Sequence, residues 1–214
     1  DTYYYKLAYE MGIQRLHDWM VRFGFGERTG IDLPNEKSGI MPSPKWKKDR
    51  YDKDWLPGET ISVSIGQGYF LATPLQVANA TAMTANKGNH ITPHLLKSSE
   101  GAAPVKVISK PDGKIDYNGK PSDWLRMHDA MEDTVKRGTA RRIYTKDYRI
   151  AGKTGTAQVK SIAQGKSYDK SALDKRHWDH AWFTGFAPVE NPTIALAVLV
   201  ENGGGGSTVA APIG

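Results

Sequence analysis

The sequence of 214 residues contains no cysteine. Disulfide bonds, thiolate nucleophiles and cysteine-ligated metals are thereby excluded within this chain, although the compartment is not fixed by that absence. Long apolar runs are missing as well: nothing approaches the roughly 18–20 consecutive apolar residues that cross a bilayer. Arginine-rich tracts and the aromatic signatures of nucleic-acid modules are also lacking. The net charge of +6 therefore does not read as a nucleic-acid footprint, and no nucleic acid is expected as a partner. No secretory signal opens the chain, and its first residue is Asp1 rather than methionine. The expectation is a piece excised from a longer protein, its targeting information lying outside this stretch.

What is present suits one soluble, well-buried domain: 39% of the residues are apolar and 24% charged. The lysines cluster in residues 45–53 and 160–175, which read as solvated loops. Tyr4, Leu7, Ala8 and Met11 recur at helical spacing behind a capping Asp1, and Gly12 stops that helix. Leu16, Trp19, Met20 and Phe23 repeat the pattern as far as Gly24. Residues 26–55 read as a long irregular lip with a short extended piece at Ile31-Asp32-Leu33. Ile61, Val63 and Ile65 alternate with Ser62 and Ser64, which predicts a half-buried strand running into a tight Gly66-Gln67-Gly68 turn. Thr73-Pro74-Leu75-Gln76 joins a capping box to a proline at the first helical position, and the alanines behind it predict a closely packed central helix. Residues 91–96 read as a short strand. Residues 105–108 and 114–115 read as a peripheral hairpin about Lys110-Pro111-Asp112-Gly113. Trp124, Met127, Met131 and Val135 predict a helix from near Ser122 to Gly138, followed by one helical turn over 140–144.

The stretch that organises the rest is Ala151-Gly152-Lys153-Thr154-Gly155-Thr156-Ala157-Gln158. Glycines let a ligand approach a strand's backbone, a lysine supplies fixed positive charge, and threonine hydroxyls grip a carboxylate. Residues 180–188 and 193–200 predict two further strands, which should pair antiparallel across the five-residue turn Pro188 to Pro192. Gly203 to Gly206 end the last strand, and residues 207–214 read as the threshold of a helix. His177, Asp179 and His180 match no zinc spacing, so a loop and strand-edge role is favoured and no metal is expected. Trp182 and Phe183 read as core and cleft-wall aromatics.

Five motifs occur in order: Gly66-Gln67-Gly68 with Thr73-Pro74-Leu75-Gln76; Arg137-Gly138-Thr139-Ala140; Lys153-Thr154-Gly155-Thr156-Ala157-Gln158; Trp182-Phe183-Thr184-Gly185-Phe186-Ala187-Pro188; and Val200-Glu201-Asn202-Gly203-Gly204. Over essentially its whole length the chain resembles the transpeptidase domain of the class B penicillin-binding proteins, nearest the branch that serves cell elongation in Gram-negative bacteria. That resemblance implies an α+β fold, an antiparallel sheet flanked by helices as in penicillin-binding proteins and serine β-lactamases. It also implies acyl transfer through a serine ester.

Carried onto this sequence, the resemblance implies that Lys153 sets the positive potential of the site and orders a neighbouring serine. Thr154 and Thr156 would bind the terminal carboxylate of the substrate or of a β-lactam. Gly155 would keep the strand surface open, and the Thr156 N–H would be one oxyanion donor. Asp1 would be the third residue of the family's second box, in its Asp variant. No Ser-x-x-Lys stands upstream of the organising strand. The nucleophile, the second-box serine and the last helix are therefore expected outside this chain, which should not turn over substrate alone. The implied partners are peptidoglycan stem peptides, β-lactam antibiotics and membrane proteins of the elongation machinery, at the periplasmic face of the inner membrane, with no cofactor. A D,D-carboxypeptidase or β-lactamase, and a non-catalytic β-lactam-sensing or wall-binding domain, are the competing readings. For a β-lactamase, no glutamate has a motif that would make it the deacylating base.

Overall fold

The computed structural model describes residues 2–101, 104, 106–107, 110–159 and 173–214. Asp1 and the lysine-rich stretch 160–172 lie outside them. Two compact units divide the chain: residues 1–83 with 88–118, and residues 84–87 with 119–214.

In the first unit, helix α1 (Thr2–Arg22) is two helical segments joined at Gly12, whose φ of 74° and ψ of 159° are non-helical. A glycine takes such angles without steric penalty, so the expected break falls where the sequence puts it. Ile13 packs with Met41 and Val63, surrounded by Leu16, Met20, Phe25 and Phe70. The stretch 26–55 is not irregular throughout. Ser43 accepts the Trp46 N–H at 3.1 Å and Pro44 stands at the first helical position, which together start helix α2 (Pro44–Tyr51). Lys47, expected in a solvated loop, has a side chain only 4% exposed. Its ammonium donates to both carboxylate oxygens of Glu59, at 2.6 and 2.7 Å, and to the Asp54 carbonyl at 2.7 Å.

The strand expected over Ile61–Ile65 is instead helix α3 (Pro57–Ser64). Alternating Ile and Ser suited a strand, but start signals overrode it. Pro57 presets the first turn, and the Glu59 carboxylate accepts the Leu56 N–H at 2.8 Å. The glycines of Gly66-Gln67-Gly68 both turn with positive φ, as expected. Helix α4 (Pro74–Ala85) carries the predicted reciprocal cap: the Gln76 N–H donates to Thr73 Oγ1 at 3.1 Å and the Thr73 N–H to Gln76 Oε1 at 2.9 Å. Gln76, 1% exposed, also donates its amide to the carbonyls of Gly24, Glu27 and Ser38.

Neither Ile31–Leu33 nor residues 91–96 form a strand; in 91–96 acidic side chains take backbone donors. Asp32 accepts the N–H groups of Leu95 and Leu96 at 2.6 and 2.8 Å, and Asp112 accepts that of Thr92 at 2.9 Å. Among the described residues of this unit, β1 (Asn89–His90) pairs with β2 (Gly113–Lys114), and Ile40 makes an isolated bridge to Leu71. Lys114 thus pairs with Asn89 rather than with the 105–108 segment, where Lys106 bridges to Ser98. Val105 and Ile108 of the expected hairpin lie outside the described residues.

In the second unit, helix α5 (Pro121–Lys136) starts at a proline, with Asp123 accepting the Lys120 N–H at 3.0 Å, and buries His128, Glu132 and Val135. The expected helical turn follows as a 3₁₀ turn at Arg141–Ile143. The sheet is β3 (Ala151–Ala157), β4 (His180–Ala187) and β5 (Ile194–Val200), antiparallel in the order β3-β4-β5. Its register pairs Gly155 with Trp182 and Ala181 with Val200. Val135, Ala140, Phe183, Ala210 and Ala211 pack on one side of this unit's core; Ala85, Ala151, Phe186 and Val189 form a second cluster. After β5 the chain makes a π-helical turn at Gly206–Ala210. Helices together with an antiparallel sheet, against whose β3 α5 packs, make this an α+β fold.

Candidate functional site

Strand β3 is an edge strand: among the described residues it pairs with β4 alone. Side chains alternate along a strand, and directly opposed residues share a face. Lys153 and Gly155 therefore stand on the face of Thr184 and Trp182, while Thr154 and Thr156 stand on that of Phe183 and Ala181. Both faces meet at the open margin of β3. Lys153 and Thr156 are exposed, and Thr154 and Gly155 half-buried. The Lys153 ammonium folds along the strand and donates to the Thr154 carbonyl at 2.8 Å.

Thr154 Oγ1 lies 2.7 Å from Thr139 Oγ1. The end of α5 holds Thr139 there. A Cβ on Gly138 would lie 2.7 Å from Thr134 Cα, so only glycine passes so close to the last turn. The following residue, Ala140, is fully buried and donates its N–H to the Thr134 carbonyl at 3.0 Å. In the sequence Thr139 stands only as one residue of Arg137-Gly138-Thr139-Ala140, with nothing to mark a role for its side chain. The signal was a hydroxyl fifteen residues from its partner, and only the fold brings the two together.

The approach to β3 is fixed by charge. Arg149 meets Glu132 of α5 in a two-pronged pair, Nε to Oε1 at 2.7 Å and a terminal nitrogen to Oε2 at 2.8 Å, and Lys136 adds a third contact at 2.9 Å. These cations hold the Glu132 carboxyl down at about 2, and the carboxylate in turn raises the Arg149 guanidinium above its ordinary value. After β5 the chain presses close on the sheet: a Cβ on Gly206 would lie 2.3 Å from the carbonyl oxygens of both Gly155 and Trp182.

The whole chain, residues 1–214, matches the family model described as the penicillin-binding protein transpeptidase domain. The chain belongs to the penicillin-binding protein transpeptidase family. It is 56% identical over 210 residues to the peptidoglycan D,D-transpeptidase MrdA of Acinetobacter baumannii, covering 98% of this chain and 31% of that protein. To the MrdA of Escherichia coli K12 it is 42% identical over 216 residues, covering 98% of this chain and 34% of that protein. Among solved structures it is similar to PBP2 of Pseudomonas aeruginosa in complex with WCK 5153, with 47% identity, a TM-score of 0.82 and coverage of 99% of this chain and 43% of that one. PBP2 of Helicobacter pylori in complex with MreC gives 35% identity and a TM-score of 0.83, covering 100% of this chain and 36% of that one. The chain spans about a third of the length of the curated relatives it matches.

Within this transpeptidase fold, Lys153, Thr154, Gly155 and Thr156 lie on one edge strand. Asp1, the remaining candidate, falls outside the described residues. A groove of about 850 Å³ elsewhere on the second unit is lined by Ile150, Phe183, Phe186, Leu196, Ala211 and Ile213, and by none of Lys153, Thr154, Gly155 and Thr156. His177, Asp179 and His180 belong to no grouping fit to hold a metal among the described residues. His180 Nδ1 accepts the Asn202 N–H at 2.9 Å, and the Asn202 amide donates to the carbonyls of Arg176 and Trp178. Asn202 thus ties the start of β4 to the end of β5.

Proposed function

We propose that this chain is the Lys-Thr-Gly-bearing part of a serine-type peptidoglycan D,D-transpeptidase that serves cell elongation and shape and is a target of β-lactams. The observation that carries this reading is the open edge strand with Lys153-Thr154-Gly155-Thr156 in a chain of the transpeptidase family. A serine hydroxyl, supplied outside this chain, attacks the penultimate D-alanine carbonyl of a stem peptide. Its proton passes to the departing terminal D-alanine, and an ester to the serine remains. An amine of a neighbouring stem then displaces the serine oxygen and forms the cross-link, the amine's proton returning to the serine.

In that reaction Lys153 supplies positive potential and orders a serine hydroxyl nearby. Thr154 and Thr156 bind the terminal carboxylate, and Gly155 leaves room for the ligand backbone, which adds to the strand margin by β-augmentation. The Thr156 N–H donates to the oxyanion, a contact worth on the order of 3 kcal/mol in the transition state. Asp1 completes the second box. A solved relative supports the partner reading: PBP2 of Helicobacter pylori forms a complex with MreC, and membrane proteins of the elongation machinery are the corresponding partners here. The site of action is the periplasmic face of the bacterial inner membrane; no helix among the described residues is long and apolar enough to cross a membrane.

The test uses the full-length protein and a labelled penicillin. A covalent adduct is expected, and Lys153→Ala should slow its formation by at least about 100-fold while leaving the melting temperature within a degree or two, since Lys153 is exposed. An unsubstituted protein that forms no adduct, or a variant that acylates at the normal rate, would refute the assignment.

A further inference from the structure

We infer that Thr139 is a positioning residue for carboxylate recognition, acting through Thr154 as one half of a paired-hydroxyl device. The inference rests on the carboxylate-binding role proposed above for Thr154. Its geometric basis is the 2.7 Å contact between Thr139 Oγ1 and Thr154 Oγ1.

A threonine hydroxyl carries one proton and can accept two hydrogen bonds. To grip an anion it must spend that proton on the anion. Several other threonines spend theirs within the protein, on backbone carbonyls (Thr134 on Ala130, Thr184 on Leu196, Thr81 on Val77) or on carboxylates (Thr29 on Glu36, Thr145 on Asp147). Such hydroxyls are committed. Thr139 and Thr154 bond to each other instead. Two hydroxyls hold two protons and their mutual bond uses one, so the pair keeps one proton to offer. When Thr139 donates, that remaining proton is on Thr154. A carboxylate arriving at Thr154 selects this direction, and the donated bond from Thr139 polarises the Thr154 O–H toward the anion.

The support is built from backbone rather than from side-chain fit. Gly138 passes within contact of the last turn of α5, and buried Ala140 is tied back to Thr134. Thr139 is thus held between two fixed points while its own side chain stays exposed. A side chain held this way restricts the Thr154 rotamer, so less freedom is lost when the ligand binds.

Acylation of the full-length protein is measured with a penicillin as its free carboxylate and as the methyl ester of that carboxylate. The unsubstituted protein should prefer the free acid. Thr139→Val, close in shape but without a hydroxyl, should lower acylation by the free acid about fivefold, the worth of one ordinary hydrogen bond. It should leave the slower ester reaction unchanged, and Thr139→Ser should restore the preference. A thermal melt of Thr139→Val establishes that the protein is folded. A preference undiminished in Thr139→Val, or equal losses with both probes, would overturn the role of Thr139. Absence of any preference in the unsubstituted protein would instead sink the carboxylate role of Thr154, and this inference with it.

Discussion

Glu132 is 5% exposed and ionised, a combination that lasts only while its cations stay in place. Arg149 contributes most to lowering its pKa, burial opposes, and Lys136 adds a smaller favourable share. The direction of the pH effect follows. The carboxyl falls from its ordinary 4.5 to about 2 on folding, so its contribution is fully present above about pH 4.5 and is lost as pH falls toward 2. We expect the second unit to lose about 2 kcal/mol over that window, discounted for the half-exposed guanidinium. Glu132→Gln should be less stable at neutral pH and should lack that slope. Denaturant unfolding at several pH values checks it; an identical slope in the variant would remove Glu132 from the account.

At the scale of elements, α3 is the clearest conflict between two sequence signals. Alternation of Ile61, Ser62, Val63, Ser64 and Ile65 spoke for a strand, whereas Pro57 and Glu59 spoke for a helix. The helix formed because Glu59 has two tasks, capping the Leu56 N–H and neutralising buried Lys47. That pairing crosses twelve residues and is not visible as a spacing rule. Glu59→Ala should therefore cost about 3–5 kcal/mol, far more than a lost cap, because it strands a buried ammonium. Should thermal unfolding register a loss of only about 1 kcal/mol, the cap alone would account for Glu59. Strands β3, β4 and β5 were legible because a glycine-punctuated motif, a five-residue turn and an apolar run all agreed. The 91–96 segment was not, because Asp32 and Asp112 reach it from elsewhere in the chain.

For the whole molecule, the sequence made the α+β class and the family legible through five ordered motifs, and it located most of the candidate site through one of them. It did not make Thr139 legible as a partner of Thr154, since that needs the end of α5 and β3 in the same place. Exposed apolar side chains are numerous: Tyr3, Tyr4 and Tyr9 in the first unit, and Ile194 and Ile213 beside the groove of the second. Tyr3 and Tyr4 touch edge to face, and Ile194 and Ile213 line one groove; contiguous exposed apolar surface marks places that bind something. The isolated 214-residue chain is expected to bind a hydrophobic dye and to self-associate, while the full-length protein does neither. Light scattering coupled to gel filtration reads this directly, and a clean monomer at high concentration would contradict it.

The crowding at Gly206 reaches beyond stability. This buried residue lies against the carbonyls of Gly155 and Trp182 with no room for a single methyl group. Even alanine there would act as a wedge driven against β3 and β4, shifting Thr154 and Thr156 without removing either. On the function proposed above, acylation by a β-lactam would then fall through a change outside the Lys153–Thr156 stretch. Acylation kinetics of Gly206→Ala in the full-length protein would measure how much of the proposed site's accuracy depends on this close packing.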